Sequence, residues 1–117
     1  MINIKPLKAY TDNYIWLLET NEEVSVVDPG DAKPVLDYLS KTNKNIRDIF
    51  ITHHHFDHTA GVPELENIIS GSIYGPKNSY ELINEKVTQG DTLSSLGIKF
   101  EIIEVPGHTL DHVAFYN

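Results

Sequence analysis

Thr52-His53-His54-His55-Phe56-Asp57-His58 is the stretch whose reading decides what this chain is. Five of its seven residues can bind a metal ion or move a proton. The six histidines of the chain fall in two places, four of them here and two in Pro106-Gly107-His108-Thr109-Leu110-Asp111-His112. A protein using histidine for packing or solubility would scatter it, and this one concentrates it.

The spacing carries chemistry. Side chains alternate sides along an extended segment, so His53 and His55 point one way and His54 the other. Two imidazoles on one side supply two members of a three-histidine set, which suits a catalytic zinc with an open position. Asp57 and His58, adjacent and just beyond, are better placed to serve a neighbouring second ion. His108 then has to arrive from far along the chain to complete the first site, and the turn-forming Pro106-Gly107 aims it inward. Metal uptake by such a set needs neutral imidazoles, so it should weaken below about pH 6 as groups with a pKa near ~6.5 protonate.

Outward from this stretch the chain alternates between strand and helix signals. Ile46 to Thr52 reads as a strand, and Ile49-Phe50-Ile51 predicts burial on both of its faces. It delivers the histidine-rich loop from its end, where open α/β sheets place ligands. Upstream, residues 2–8 read as a strand. Tyr14–Glu19 and Val24–Asp28 read as a hairpin across Asn21-Glu22-Glu23. Trp16 is expected in the core. Asp31 caps a helix over 32–43 that carries Val35, Leu36 and Leu39 on one stripe, with Pro34 in its first turn. Downstream, Gly61 and Pro63 start a helix through about Ile69, its N-terminus facing the loop. Ser72–Tyr74 is a short strand. Lys86–Thr88, Thr92–Leu96 and Ile98–Val105 read as a meander turning at glycines, with Ile103 and Val105 buried on the second face. Val113–Tyr116 begins one more strand.

The run His53-x-His55-x-Asp57-His58 resembles the signature of the metallo-β-lactamase fold, and within that superfamily the chain most resembles glyoxalase II, the hydroxyacylglutathione hydrolases. Asp12-Asn13-Tyr14-Ile15-Trp16, Val27-Asp28-Pro29-Gly30-Asp31, the Thr52–His58 run and Pro106-Gly107-His108-Thr109 carry the resemblance in order. It implies an α/β fold, the amino-terminal half of an αββα sandwich, with a mixed sheet of about six or seven strands and both helices on one face. It implies metal ligands at His53, His55, Asp57, His58 and His108. Asp57 would also hold the nucleophilic water. The expected metal is zinc, two ions in a complete site, with iron or manganese as alternatives. The substrate would be a glutathione thioester, S-lactoylglutathione, cleaved to glutathione and D-lactate in the detoxification of methylglyoxal.

Three residues stand behind these ligands. Asp28, at a strand end, either turns the chain or orients a ligand imidazole through its other ring nitrogen. His54 faces away from His53 and His55, a structural position or a supporting one. His112 either supports the site or faces substrate, or simply packs. Thr52 has no chemistry that sequence alone assigns.

The resemblance is to the front half of such an enzyme. The family's bridging aspartate, a further histidine and the helical region that binds glutathione have no counterpart in residues 1–117, which read as a single partial domain. One tightly held metal and slow thioester turnover are therefore expected of this chain. The alternatives are a persulfide dioxygenase with one iron, another hydrolase of the same fold, and a metal-binding half-domain without activity.

Composition fits this reading. Hydrophobic residues make up 40% and charged residues 22%, as in ordinary globular proteins. Nine basic against seventeen acidic residues leave a net charge of −8, which argues against nucleic acid as a partner. The absence of cysteine excludes a thiolate ligand and fits a reducing cytoplasm. Met1 to Pro6 lacks the apolar core of a signal peptide, and no run of about 18 apolar residues offers a membrane span. A sheet face left uncovered would drive association, so a homodimer through that face is expected.

Overall fold

The computed structural model describes residues 3–9, 13–53, 56–77, 80–105 and 112–117, with the side chains of Ala9, Asn13, Phe56 and Asp57 left aside. The first sheet opens with β1 (Asn3–Ala9) and β2 (Asn13–Glu19), antiparallel, with Pro6 opposite Trp16. β3 (Glu23–Val27) pairs antiparallel with β2 after a tight link in which Thr20 Oγ1 accepts the Glu23 N–H at 3.1 Å. Helix α1 (Ala32–Thr42) comes next, capped as its sequence predicts: the Asp31 carboxylate accepts the Lys33 N–H, and Asn43 closes the helix at φ 57°. β4 (Asn45–Phe50) then lies parallel to β3.

Beyond β4 come two short helices, α2 (Phe56–Thr59) and α3 (Val62–Leu65), and a 3-10 turn at Glu66–Ile68. The expected helix through Ile69 is thus a single α turn with a tighter turn behind it, too short to sum a useful dipole. β5 (Ile73–Pro76) and β6 (Glu85–Val87) complete a six-stranded mixed sheet in the order β1-β2-β3-β4-β5-β6. The strand expected at Lys86–Thr88 therefore belongs to the first sheet, parallel to β5, and not to a meander with the strands downstream.

Thr92 onward forms a second sheet of β7 (Thr92–Ser95), β8 (Ile98–Glu104) and β9 (Val113–Tyr116), all antiparallel. Its first hairpin turns on Leu96 and Gly97, both at positive φ (55° and 81°), as a two-residue turn requires.

One face of the six-stranded sheet is covered by α1 and α3. Ile15, Leu17, Val24, Val26, Ile46, Ile49 and Ile51 bury there with Val35 of α1 and Val62 and Leu65 of α3 in one continuous apolar cluster. The opposite face meets the second sheet. Phe50 lies at its centre, ring centroids 5.6 Å from Phe100 and 4.9 Å from Phe115. This corrects the expectation that nothing in the chain was left to cover that face, because β7–β9 fold back over it. The cover stops short of β1 and β2. Trp16, expected in the core, is 45% exposed, Tyr14 53% and Ile4 67%. Alternation explains it: Ile15 and Leu17 take the helix side, so Tyr14 and Trp16 take the side that the second sheet does not reach. Val105, expected to be buried, is 38% exposed at the end of β8. No helix among the described residues is long and apolar enough to cross a membrane.

Candidate metal centre

The chemistry-bearing residues gather at the carboxyl ends of β3 and β4. Asp28 comes directly after β3 and sits at φ 49°, a left-handed conformation that Asp tolerates better than most residues. Two backbone bonds hold it there: the Asp28 N–H donates to the Phe50 carbonyl and the Gly30 N–H to the Asp28 carbonyl, each at 2.8 Å. Its carboxylate, 8% exposed, is thereby aimed across the sheet at the segment leaving β4.

Thr52 meets it with two donors. The Thr52 N–H reaches Asp28 Oδ1 at 2.8 Å and the Thr52 hydroxyl reaches Asp28 Oδ2 at 2.6 Å. His58, from α2, brings Nδ1 to 3.2 Å from the same Oδ2. Thr52 Oγ1 also lies 2.8 Å from His53 Nδ1.

With Asp28 ionised, these contacts favour one tautomer in both rings. The single hydroxyl proton of Thr52 goes to Asp28, so toward His53 the Thr52 oxygen acts as acceptor and His53 carries its proton on Nδ1. An ionised Asp28 only accepts, so His58 also donates from Nδ1. In both rings Nε2 then carries the lone pair, the form in which imidazole ligates a metal.

The donor set fits a cation. Asp28, His53 and His58 each offer a ligand atom, and these atoms all lie within 4.8 Å of one another. His53 is nearly buried at 6% exposure, and its ring centroid is 4.3 Å from that of His58. His112, just before β9, places its ring centroid 4.6 Å from that of His53. The Val113 N–H fastens that arrival by donating to the Thr52 carbonyl at 2.9 Å. Gly61 matters to the frame: its N–H donates to the Pro29 carbonyl at 2.8 Å, and a Cβ there would lie 2.6 Å from both Pro29 O and Ala32 N. Only glycine lets α3 close on the loop that carries Asp28.

Of the residues singled out in the sequence, His53, His58, Asp28 and His112 come together. His54, His55, His108 and the side chain of Asp57 lie outside the described residues. Asp28 is no plain turn residue, since three hydrogen bonds converge on its carboxylate. Thr52, which sequence reasoning left without a role, joins Asp28 to His53. Its signal was its place next to a histidine at the end of a buried strand.

Residues 11–117 match the model of the metallo-beta-lactamase superfamily. The chain belongs to the metallo-beta-lactamase superfamily. Among its relatives, a hydroxyacylglutathione hydrolase of Pseudoalteromonas translucida is 48% identical over 124 residues, covering 100% of this chain and 47% of the relative. One from Chromohalobacter salexigens is 45% identical, covering 99% and 47%. The chain thus spans about half the length of the curated relatives it matches. Among solved structures of the same fold, the BLEG-1 B3 metallo-beta-lactamase aligns with a TM-score of 0.82 at 21% identity, over 99% of this chain and 66% of that one. ETHE1 from Myxococcus xanthus aligns with a TM-score of 0.77 at 23% identity, over 98% and 52%. Superfamily membership and the histidine–aspartate cluster together imply a metal cofactor.

Proposed function

We propose that this chain carries the metal-binding half of a thioester hydrolase that cleaves S-(2-hydroxyacyl)glutathione, S-lactoylglutathione above all, to glutathione and a 2-hydroxy acid. One observation carries the reading. Thr52 and Asp28 meet His53 and His58 at Nδ1, the contact that ligation through Nε2 calls for. The names of the relatives point the substrate toward glutathione thioesters.

In this reading His53, His55 and His108 hold the first ion, and Asp57 and His58 serve the second. Zinc is the metal favoured by a histidine-rich set, with iron or manganese as substitutes. Bound there, a divalent cation would supply Lewis acidity at the carbonyl and lower the pKa of a coordinated water toward ~7. The chain's own residues do the rest. Asp28 locks the tautomers through Thr52 and His58, His112 covers one side of His53, and Asp57 holds the attacking water by a hydrogen bond. His54 is assigned a structural or supporting role and no ligation.

The acidic balance supports a small-molecule substrate over nucleic acid. A cytoplasmic setting, with no membrane partner, belongs to the same reading. So does a homodimer through the exposed side of β1 and β2, where Ile4, Tyr14 and Trp16 stand uncovered. Sedimentation at micromolar concentration tests that dimer, and a monomer at all concentrations removes it.

Metal analysis beside a thioester assay on S-lactoylglutathione tests the main proposal. His108→Ala should lose the first ion, and His54→Ala should keep it. Equal retention by both variants would overturn the ligand assignment. Hydrolysis absent even from a zinc-loaded, longer form of the chain would overturn the substrate.

A further inference from the structure

A buried carboxylate lies outside the metal centre, between the two sheets. Asp48, on β4 five residues before His53, is 3% exposed, and its carboxylate faces the second sheet. The Ser72 N–H donates to its Oδ1 at 2.8 Å and the Ser95 hydroxyl to its Oδ2 at 2.6 Å. With the proton of Ser95 committed to Asp48, the Ser25 hydroxyl, 2.7 Å away, must donate to Ser95. Ser25 and Ser95 are 0% and 3% exposed. The surroundings are shaped to the carboxylate: a Cβ at Gly71 would collide with Asp48 Oδ1.

This chain of donors crosses between sheets. Ser25 lies on β3 and Asp48 on β4, the two strands that end in Asp28 and the Thr52–His53 segment. Ser95 lies on β7, in the sheet whose β9 starts at the Val113 N–H bonded to Thr52 and just after His112, whose ring centroid is 4.6 Å from that of His53. Between these two fastenings the sheets touch through Phe50, Phe100 and Phe115. Apolar contact is non-directional and leaves the sliding of one sheet over the other weakly specified. A buried polar chain allows one register, because any other strands a charge without partners.

We propose that Asp48, with Ser95 and Ser25, is a positioning element for the metal centre. It sets the register of the second sheet on the first, and so brings His112 to His53. The inference builds on the metal-binding reading above but has a readout of its own.

The test uses the full 117-residue chain and Co2+ as the probe. Asp48→Ala and Ser95→Ala cut the polar chain. Asp48→Asn keeps the Ser72 bond and can donate to Ser95 in the reverse direction. Amide exchange at Val113 reports the docking of β9 without any metal. In Asp48→Ala and Ser95→Ala the Val113 amide should exchange roughly tenfold faster while amides of β2 and β3 stay protected, and Co2+ should bind roughly tenfold more weakly with a changed visible spectrum. Asp48→Asn should resemble the parent in both. Should Asp48→Ala fail to fold, the milder Ser95→Ala carries the comparison. Val113 protection equal to the parent, or a loss spread evenly over both sheets, overturns the positioning role. A parent chain that binds no Co2+ refutes the metal reading instead, and Val113 exchange still decides this one.

Discussion

The two faces of the six-stranded sheet are built on different principles. The helix side has an apolar centre, from Ile15 and Leu17 to Val35, Val62 and Leu65. The other side mixes an aromatic centre at Phe50, a buried carboxylate at Asp48 and exposed rings at Tyr14 and Trp16. The first face holds the fold by burial alone and tolerates volume-conserving change. The second has to deliver particular atoms to the ends of β3 and β4, and it does so with directional bonds.

The largest effect should come from removing the hinge of the second face. Phe50→Ala is expected to cost about 3–5 kcal/mol in urea unfolding and to release β8 and β9 together, whereas Ile49→Val, the next residue on the helix side, should cost about 0.5–1.5 kcal/mol. A reversed order of these two would dissolve the contrast between the faces.

Metal affinity sharpens it from the other end. Asp28→Ala should weaken zinc binding about 10–100-fold, because His53 and His58 lose the partner that orients them, and the loss should exceed any change in stability of the apo protein. Isothermal titration beside thermal melts separates the two quantities.

The helix face has a polar margin of its own, where Glu19 accepts bonds from the Tyr38 hydroxyl and the Lys44 ammonium. Burial pushes Glu19 up, but these two donors outweigh it and hold its carboxyl below the usual range. Tyr38 is pushed up to about 12, first by its bond to Glu19 and then by burial. The signs differ. A lowered carboxylate stabilises above its unfolded pKa and loses that contribution as pH falls through the folded value. A raised phenol stabilises below about 10 and loses its contribution as pH climbs toward about 12. Tyr38→Phe should cost about 1.5–3 kcal/mol at neutral pH and flatten both limbs of the stability profile. Unchanged limbs would show that this cluster does not form.

The smallest effect belongs to the exposed rings. Trp16→Ser should change stability by no more than about 0.5 kcal/mol, and it should weaken self-association if β1 and β2 form the dimer face. A large loss of stability would place Trp16 in the core after all.

How much of this was legible in the sequence divides along the same line. Local signals placed α1 and β4 closely and overran α3: Asp31 and Asn43 bound α1 as capping chemistry demands, and Ile49-Phe50-Ile51 is buried on both faces, but the helix expected through Ile69 ends at Leu65. What alternation alone could not give was which strands the second sheet would cover. That depends on how far β7–β9 reach, a long-range matter, so neither the exposure of Trp16 nor the pairing of Lys86–Thr88 with β5 could be read locally. The histidines were visible because their spacing is chemical, and Asp28 because the Val27–Asp31 stretch resembles the family's. Thr52 was not, because a threonine at a strand end is ordinary until the fold sets Asp28 opposite its hydroxyl. Asp48 was hidden for the same reason, its partners lying 47 and 24 residues away.

The central claim is that Asp28 and Thr52 preset His53 and His58 to take a metal ion through Nε2. Long-range nitrogen–proton NMR of the histidine rings, with and without zinc, tests it most directly. In the metal-free protein both rings should show the Nδ1-protonated tautomer, and zinc should shift Nε2 of each while leaving Nδ1 bonded. Rings protonated on Nε2, or Nε2 signals indifferent to zinc, would contradict the account.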